Sequence, residues 1–376
     1  MPEIMKVIGL MSGTSLDGVD AALLDTDGAA VVRPGASLTM PYDAETRALL
    51  RQAIQDAAGL AEPGPATETI RAAERHLTDR HADAVAALLD KAGLAAREVD
   101  LIGFHGQTIL HRPEQGWTWQ IGDGARLARR NGIGVVNDFR TADVQAGGQG
   151  APLMPLYHAA LAAGSSLPRP LVVANIGGVG NVTYIDDDCV LAFDTGPGNA
   201  PIDDWMLRHT GKPVDVGGAL AASGAVHDDV LAVMLDNCFF ARRPPKSLDR
   251  MDFGLSAVEG LSAADGAATL AAFTAASIAR AAAHFPSVPL TWIISGGGRH
   301  NDFLMAQLRA RLLEKGAANV LRAEGARWDG DGLEAEGFAY LAARSRLGLP
   351  LSLPTTTGVP SALTGGVFHP PGGVEA

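Results

Sequence analysis

Residues 7–25 of this 376-residue chain are VIGLMSGTSLDGVDAALLD, and this stretch decides the fold class. Two short apolar segments, at 7–11 and 21–25, enclose a polar segment of Gly, Ser, Thr and Asp, which is typical of a β-hairpin with a wide turn. The pattern returns in the second half, where strand-like residues 171–176 precede a glycine turn at 177–181 and a second strand at 182–185. Both halves therefore begin with a strand, a glycine-rich turn and a return strand.

The rest of the chain alternates strand-like and helical segments, which predicts an α/β architecture of two related lobes. Helical patterns occupy 44–60, 67–93, 219–240, 265–285 and 302–315, and further strands are predicted at 101–104, 134–138, 191–194 and 290–294. The loop-rich stretch 143–152 interrupts regular structure. We therefore predict a first lobe at 1–145, a second lobe at 146–350, and a tail at 351–376 that packs back on the first lobe.

The composition is that of a folded protein, and its charge balance excludes some classes of partner. Hydrophobic residues make up 47% of the chain and charged residues 19%, which is enough for sizeable cores. Acidic residues outnumber basic ones by 42 to 30, and a net charge of −12 argues against nucleic-acid or anionic-membrane partners. Two cysteines and an N-terminus without a signal-like apolar segment lead us to expect a reduced, cytoplasmic protein.

The polar turn of the first hairpin has two interpretations. Small residues at Gly13 and Gly18 expose backbone N–H groups, and the hydroxyls of Ser12, Thr14 and Ser15 add donors, so the turn can bind an anion. The alternative is an ordinary polar hairpin turn. A Walker A loop and a dinucleotide fingerprint are both excluded, because a strand rather than a helix follows and the loop has no lysine.

Two further glycine-rich segments follow strands in the second half. Asp194 ends a buried strand and is followed by a Gly-Pro-Gly turn, which directs a carboxylate into a cleft or simply caps the turn. The segment SGGG at 295–298 has little side-chain bulk, so a flat group such as adenine can lie against it. Asp17 and Asp20 fit a hydrated Mg²⁺ that bridges them to phosphate. Together the three loops are what a nucleotide held in a cleft between two lobes requires.

These residues resemble the sugar kinase, heat-shock chaperone and actin superfamily and, more specifically, the anhydro-N-acetylmuramic acid kinases. The resemblance extends in order from residue 9 to about residue 342. It is carried by GLMSGTSLDGVD at 9–20, GFHGQT at 103–108, QIG at 120–122, DFR at 138–140, AGGQGAPL at 146–153, NIGG at 175–178, FDTGPGN at 193–199, PKS at 245–247, SGGG at 295–298 and LEAEGFA at 333–339.

The resemblance implies an actin-like, two-lobed ATPase fold and a kinase reaction combined with hydrolysis. In that reaction water opens the 1,6-anhydro bond of the sugar at C1, and the freed O6 takes the γ-phosphoryl group of ATP. The motif match makes Asp194 the base that activates water. Glu334 matches a late carboxylate that positions the sugar or supports the base, although a carboxylate favoured by the helix dipole is an equal alternative.

The resemblance also implies site residues and partners. Its sugar-facing candidates are His105, Gln107, Arg140, Asp143 and Asn199, each of which has an equally reasonable structural role. Lys246 either contacts a phosphate or caps a loop. The implied cofactors are ATP and Mg²⁺, and a homodimer is expected. The implied ATP-binding residues are Gly13, Thr14, Ser15, Leu16, Asp17, Gly18, Val19, Asp20, Gly177, Gly178, Gly196, Gly198, Gly296, Gly297 and Gly298.

Two other functions stay open on the sequence. One is an ordinary kinase for a free sugar or carboxylic acid, in which Asp194 deprotonates a hydroxyl group instead of water. The other is a non-catalytic nucleotide-binding protein of the chaperone or actin type, whose output is a movement of its lobes.

Overall fold

The computed structural model describes residues 3–13, 15–60, 66–248 and 252–372, and the chain divides into two compact units. The first unit combines Met1–Ser165 with Asp331–Ala376, and the second is Ser166–Gly330. The described elements of Met1–Ser165 are β1 Met5–Ser12, β2 Gly18–Thr26, β3 Val32–Pro41, α1 Ala44–Ala58, α2 Glu68–Ala92, β4 Leu101–Arg112, β5 Trp117–Ile121, α3 Gly124–Asn131, β6 Val135–Asn137, α4 Thr141–Gln145 and α5 Pro155–Ala163.

The chain then forms the second unit before it returns to the first. The elements of the second unit are β7 Leu171–Ile176, β8 Val179–Asp186, β9 Cys189–Pro197, α6 Ala200–Thr210, α7 Ala219–Ala222, α8 Asp228–Leu235, α9 Cys238–Ala241, α10 Ala263–Arg280, β10 Thr291–Ser295, α11 Asp302–Glu314 and β11 Asn319–Arg322. The returning segment adds α12 Leu333–Arg346 and β12 Val367–His369.

The described strands of the first unit form one seven-stranded sheet with the order β12-β6-β4-β1-β2-β3, and β5 pairs with β4. β1 pairs antiparallel with β2, as the hairpin pattern predicts, and parallel with β4. Helix α12 lies directly on these central strands because Gly9 and Gly103 have no side chains. A Cβ on Gly9 would be 1.7 Å from the Ala335 carbonyl oxygen, and one on Gly103 would be 2.2 Å from that of Phe338.

The described strands of the second unit form a five-stranded sheet with the order β11-β10-β7-β8-β9. The alanine-rich helix α10 packs against the strands of this sheet, and every residue of the helix from Gly266 to Ala279 is buried. Within the described ranges, Ala263–His284 is the one helical segment long and apolar enough to cross a membrane, but 83% of its apolar stretch is buried inside the protein. This helix is the core of its unit.

The α/β architecture in two units agrees with the sequence-based expectation, but the boundaries differ from those expected. The first unit extends to residue 165 instead of 145, and the second ends at 330 instead of 350. The physical reason is the packing of α12 on β1 and β4, with α5 held against α12 by a 2.5 Å hydrogen bond from the Tyr157 hydroxyl to Glu336. The described tail belongs to the first unit, where β12 pairs antiparallel with β6.

Several predicted elements have different lengths in the structure. The helical pattern at 219–240 is three short helices, because Gly224 packs on the backbone of Ala264 and Asn237 caps a new helix. β8 begins at Val179, which shortens the predicted glycine turn to residues 177–178. β9 continues to Pro197, so Asp194 lies within the strand and not at its end.

Candidate functional site

The turn between β1 and β2 is held from below by a buried hydrogen-bond network. Ser12 donates to Gln107 Oε1 at 2.6 Å, and its hydroxyl is 2.8 Å from that of Tyr42. Gln107 in turn donates to the Gly13 carbonyl at 3.3 Å. Ser12 and Gln107 are almost completely buried, whereas Ser15 is exposed. The network therefore fixes the base of the turn, while Ser15 stays exposed to solvent.

The predicted ATP-binding residues of this turn differ in what they can offer a ligand. Leu16 and Val19 are buried in the core of the first unit, so only their backbone groups are available. Gly18 is required by packing, since a Cβ there would be 2.3 Å from the Met40 carbonyl oxygen. Thr14 lies outside the described residues. Gly13 is different, because a Cβ there would meet only the Ser15 hydroxyl, at 3.5 Å.

The predicted magnesium ligands do not form a metal cage. Asp17 is exposed, and one carboxylate oxygen of Asp20 accepts a 2.6 Å hydrogen bond from Thr39 on the neighbouring strand. Across the part of the chain that the structure describes, no group of three or more His, Cys, Asp or Glu side chains could hold a metal ion. These residues fit Mg²⁺ held chiefly by phosphate and water, which is how this cation is usually bound beside nucleotides.

His105 and Arg140 form a second cluster in the first unit, where β4 and the segment after β6 meet. Arg140 donates from Nε and from one terminal nitrogen to His105 Nε2, at 3.1 and 3.0 Å. His105 Nδ1 is 2.8 Å from the Gly106 carbonyl oxygen, so the neutral ring carries its proton on Nδ1. Burial, followed by the Arg140 charge, holds the pKa of His105 well below its usual range. His105 is thus a fixed, neutral acceptor.

Two carboxylates interact electrostatically with the positive charge of Arg140. Burial lowers the pKa of Arg140 to about 10, while the charges of Glu334 and Asp143 act in the opposite direction. Glu334 is partly buried in the first turn of α12. Because Gly9 and Gly103 set the position of α12, the close helix–sheet packing also sets where Glu334 faces Arg140. The structure therefore brings together three of the predicted residues, His105, Arg140 and Glu334.

Asp143 has a structural task in the same region. Its two oxygens accept hydrogen bonds of 2.6 Å from the Gly150 amide and from the Thr357 hydroxyl, and the side chain is buried. Arg140 donates to the Gly150 carbonyl, also at 2.6 Å. Asp143 thus ties the glycine-rich loop at 147–150 to the tail, so its observed partners are the protein's own groups.

In the second unit, the three glycine-rich segments converge. The Gly177 carbonyl accepts from Asn199 N–H at 2.7 Å, and the Gly178 carbonyl accepts from Gly198 N–H at 3.0 Å. A Cβ on Gly198 would be 2.1 Å from the Gly177 oxygen. Asn199 also donates from its side chain to the Ile176 carbonyl at 3.1 Å. The turn at 177–178 is therefore in direct contact with the segment 196–199.

The segment at 295–298 packs against the end of β7, directly before the same turn. Gly296 has a φ of +75°, and a Cβ there would be 2.3 Å from Asn175 Oδ1, while one on Gly298 would be 2.3 Å from Ile176 Cγ2. The buried Arg299 side chain donates to the Gly296 carbonyl at 3.0 Å and to Glu324 at 2.8 Å. Arg299 therefore fixes the loop at 295–298. The glycine-rich sequence before it did not predict this role.

The glycines of the predicted nucleotide loops fall into two groups. Gly18, Gly196, Gly198, Gly296 and Gly298 are required by the fold, because a Cβ would collide with neighbouring atoms. Gly13, Gly177, Gly178 and Gly297 have ordinary φ values, and a Cβ on any of them would meet no atom closer than 3.5 Å. Packing gives no reason for glycine at these four positions. Close approach by a ligand does give one.

Asp194 is a buried carboxylate of the second unit with a raised pKa. Its backbone N–H donates to the Lys246 carbonyl at 3.0 Å, and Leu248 N–H donates to its Oδ2 at 2.9 Å. Burial raises the pKa of Asp194 to about 7, against the opposing effects of the Leu248 N–H and the Lys246 charge. A carboxylate that titrates near neutral pH is suited to general base catalysis.

Comparison with known proteins decides the family. A model of the anhydro-N-acetylmuramic acid kinase family matches residues 5–371. The chain belongs to this family. It is 55% identical to the anhydro-N-acetylmuramic acid kinase of Rhizorhabdus wittichii over 98% of this chain and 99% of that one, and 53% identical to that of Rhodospirillum rubrum over 96% and 94%. The resemblance stated from the motifs is confirmed.

A search of solved structures adds a distant similarity. A ROK family glucokinase from Streptomyces griseus, in complex with glucose and AMPPNP, aligns with a TM-score of 0.40 at 16% identity. The alignment covers 90% of this chain and 99% of that chain.

This member of the anhydro-N-acetylmuramic acid kinase family contains site residues that sequence reasoning missed. Tyr42 and Thr357 each bind a predicted residue, Ser12 and Asp143 respectively, and Leu248 orients Asp194. No local pattern marks Tyr42 or Leu248. Thr357 lies in a TTTG segment at 355–358. This polar segment, which ends in glycine, was the one sequence feature of the tail that could have indicated a site residue.

Proposed function

We propose that this chain converts 1,6-anhydro-N-acetylmuramic acid, ATP and water into N-acetylmuramic acid 6-phosphate and ADP, a step of peptidoglycan recycling. The single observation that carries the mechanism is the environment of Asp194. This carboxylate is buried, oriented by the Leu248 N–H, and has its pKa raised by burial to about 7. It is therefore a base of the right strength, held in one orientation.

In the proposed reaction, Asp194 takes a proton from water as the water oxygen attacks C1. Among the described residues, only Leu248 donates a hydrogen bond to this carboxylate, at Oδ2, so Oδ1 keeps its lone pairs for the proton. The bond between C1 and O6 breaks, and O6 takes the γ-phosphoryl group while ADP leaves. No separate acid is needed for the leaving oxygen, because phosphorus captures it.

We propose that the His105, Arg140 and Glu334 cluster binds the sugar. Arg140 stays charged at neutral pH and has a rigid fork of donors, which suits it to bind the carboxylate of the lactyl group. Glu334 offers an acceptor for sugar hydroxyl groups. Asn199, beside the second-unit glycine loops, is the further candidate for a sugar contact. The role of Glu334 as a support for the base remains part of this proposal.

For ATP, we propose that phosphate oxygens lie against glycines whose Cβ positions are open. Gly13 is the candidate in the first unit, and Gly177, Gly178 and Gly297 are the candidates in the second. Backbone N–H groups in such turns bind anions without a net positive charge, which fits a chain of net charge −12. Mg²⁺ would neutralise the charge of the phosphates when bound, and Asp17 and Asp20 would hold it through water.

The decisive experiment is a short incubation with ATP, Mg²⁺ and the anhydro sugar in ¹⁸O-labelled water, followed by mass spectrometry. We expect one label at C1 and an unlabelled phosphate at O6. Unlabelled product incubated in the same water is the control for exchange of the C1 hydroxyl. Phosphorylation without label at C1 would support the ordinary kinase reaction instead, and no phosphorylation would reject both.

The cytoplasmic location and the homodimer are proposals that rest on the sequence and on family membership. Sedimentation velocity at micromolar concentration tests the dimer, and a single species of the mass of one chain would reject it. Cell fractionation tests the location.

A further inference from the structure

Residues 244–248 form a short strap beside β9, and the strap controls the orientation of Asp194. Among the described strands β9 is the last of its sheet, so the strap supplies the hydrogen-bond partner that a further strand would provide. Asp194 N–H donates to the Lys246 carbonyl at 3.0 Å, and Leu248 N–H donates to the Asp194 carboxylate at 2.9 Å. These two hydrogen bonds therefore set the orientation of the Asp194 carboxylate.

The side chain of Lys246 fastens this strap to α9. Its Nζ donates to the Phe239 carbonyl at 3.0 Å and to the Phe240 carbonyl at 3.4 Å, and the residue is 5% exposed. The ammonium also lies 4.5 Å from the centre of the Phe239 ring and 5.7 Å from that of Phe193. Two carbonyl oxygens and two aromatic faces stabilise the buried cation at this point.

Among the described residues, the charged or titratable groups near this ammonium come from four elements or segments around it. Asp194 faces it from β9 and Arg242 from the segment before the strap. Behind the Phe240 carbonyl, His284 approaches with Nε2 at 3.2 Å, and Arg280 lies over the Phe240 ring. Burial lowers the pKa of Lys246 to about 8, with Arg242 acting in the same direction and Asp194 against it. Lys246 is thus mostly protonated at pH 7.

We propose that Lys246 is a positioning residue for the Asp194 base, acting by fastening the strap that orients the carboxylate and by placing a positive charge beside it. The inference rests on the proposed function of Asp194. Of the two alternatives for Lys246, a phosphate contact and a loop cap, the observed partners are those of a cap. Lys246 also contacts the proposed base, because its backbone carbonyl accepts a hydrogen bond from the Asp194 N–H on β9.

The test compares Lys246→Met and Lys246→Arg with Lys315→Met as a control at an exposed lysine in the same unit. In Lys246→Met we expect kcat to fall about 10- to 100-fold, while the KM for ATP changes less than about threefold. The acid limb of the kcat/KM profile should move to higher pH, because the carboxylate loses a nearby cation. Lys246→Arg keeps the cation and should recover most of the pH profile.

A second readout does not depend on catalysis. We expect the pH dependence of the stability difference between the wild type and Asp194→Asn, measured by thermal unfolding, to move to higher pH when Lys246→Met is present in both. A shift in this readout with no sugar phosphorylation by the wild type would support the positioning and reject the proposed function. In Lys246→Met, an unchanged pH midpoint of the kcat/KM profile or of the stability difference would overturn the positioning role. If Lys246→Met does not fold, Lys246→Arg provides the test. A wild-type kcat in this variant, combined with an altered pH midpoint of either readout, would overturn the positioning role.

Discussion

A Cβ on Gly9 would lie 1.7 Å from the backbone carbonyl oxygen of Ala335, so strand β1 and helix α12 are in backbone contact. The contact joins the beginning of the chain to its returning segment and places Glu334, one residue before Ala335, at the start of the helix. The position of a proposed sugar-binding carboxylate thus depends on a glycine far away in the sequence.

The first prediction concerns this contact. Gly9→Ala should lower the free energy of unfolding by at least about 2 kcal/mol, because neither backbone can move away without disturbing the sheet or the helix. Thermal and urea unfolding of the purified variant measure it. The matched control is Gly13→Ala, whose Cβ meets only the Ser15 hydroxyl and should leave stability unchanged. Equal stabilities of the two variants would contradict the packing argument.

The second prediction separates ligand approach from folding at the first glycine loop. Gly13→Val should fold with an unchanged unfolding temperature in the absence of nucleotide, because the position is open. Its affinity for an ATP analogue should fall about tenfold or more, since the side chain displaces phosphate from the turn. Isothermal titration calorimetry measures the affinity. Wild-type affinity in this variant would show that phosphate does not approach Gly13.

The third prediction concerns Asp194→Asn. The amide keeps the volume of the side chain and can still accept from the Leu248 N–H, but it cannot take a proton from water. We expect kcat to fall by about 10²- to 10⁴-fold or more, with ATP binding retained. Steady-state kinetics and calorimetry test this pair of outcomes. A variant with more than about a tenth of wild-type kcat would exclude Asp194 as the base, and the assignment would pass to Glu334.

The fourth prediction follows from the pKa of Asp194, which burial raises from 3.8 to about 7. Between these values the unfolded chain has released the proton while the folded protein keeps it, so wild-type stability falls as pH rises from about 4 to about 7. The amide of the Asp194→Asn variant does not titrate. The stability advantage of Asp194→Asn should therefore grow across this window and stay constant above it, at about 1.4 kcal/mol for each unit of pKa shift as an upper bound.

Unfolding temperatures of the wild type and Asp194→Asn at several pH values measure this difference. An advantage that is independent of pH would show that Asp194 is ionised with its ordinary pKa. The same titration predicts that wild-type kcat/KM rises with pH through about 7, because the deprotonated form is the base.

The fifth prediction concerns Arg140→Lys. Arg140 makes three hydrogen bonds, two to His105 Nε2 and one to the Gly150 carbonyl, and a lysine cannot reproduce this fork. The KM for the anhydro sugar should rise about 10- to 100-fold, while the affinity for ATP stays the same. Arg129→Lys, at an exposed position of α3, is the control. An unchanged sugar KM would remove Arg140 from the sugar site.

Much of this protein was determined by the sequence alone. The two strand–turn–strand patterns predicted two α/β units. The sequence and its motifs also predicted that the glycine-rich turns bind phosphate and that Asp194 activates water. Such features are local, because a turn needs small residues where it bends and a strand needs an apolar run where it is buried. The family was recognisable for the same reason, since its motifs are short and occur in order.

The tertiary structure decided which of these residues act together. Contacts between distant segments bring Arg140 to His105, the Lys246 strap to Asp194 and α12 to Gly9, and no nearby residue pattern encodes them. The unit boundaries at 165 and 330 have the same origin, because the returning helix is buried against strands from the beginning of the chain. Packing also distinguished glycines that the fold requires from glycines whose Cβ positions are open, since only the space around a missing Cβ separates the two.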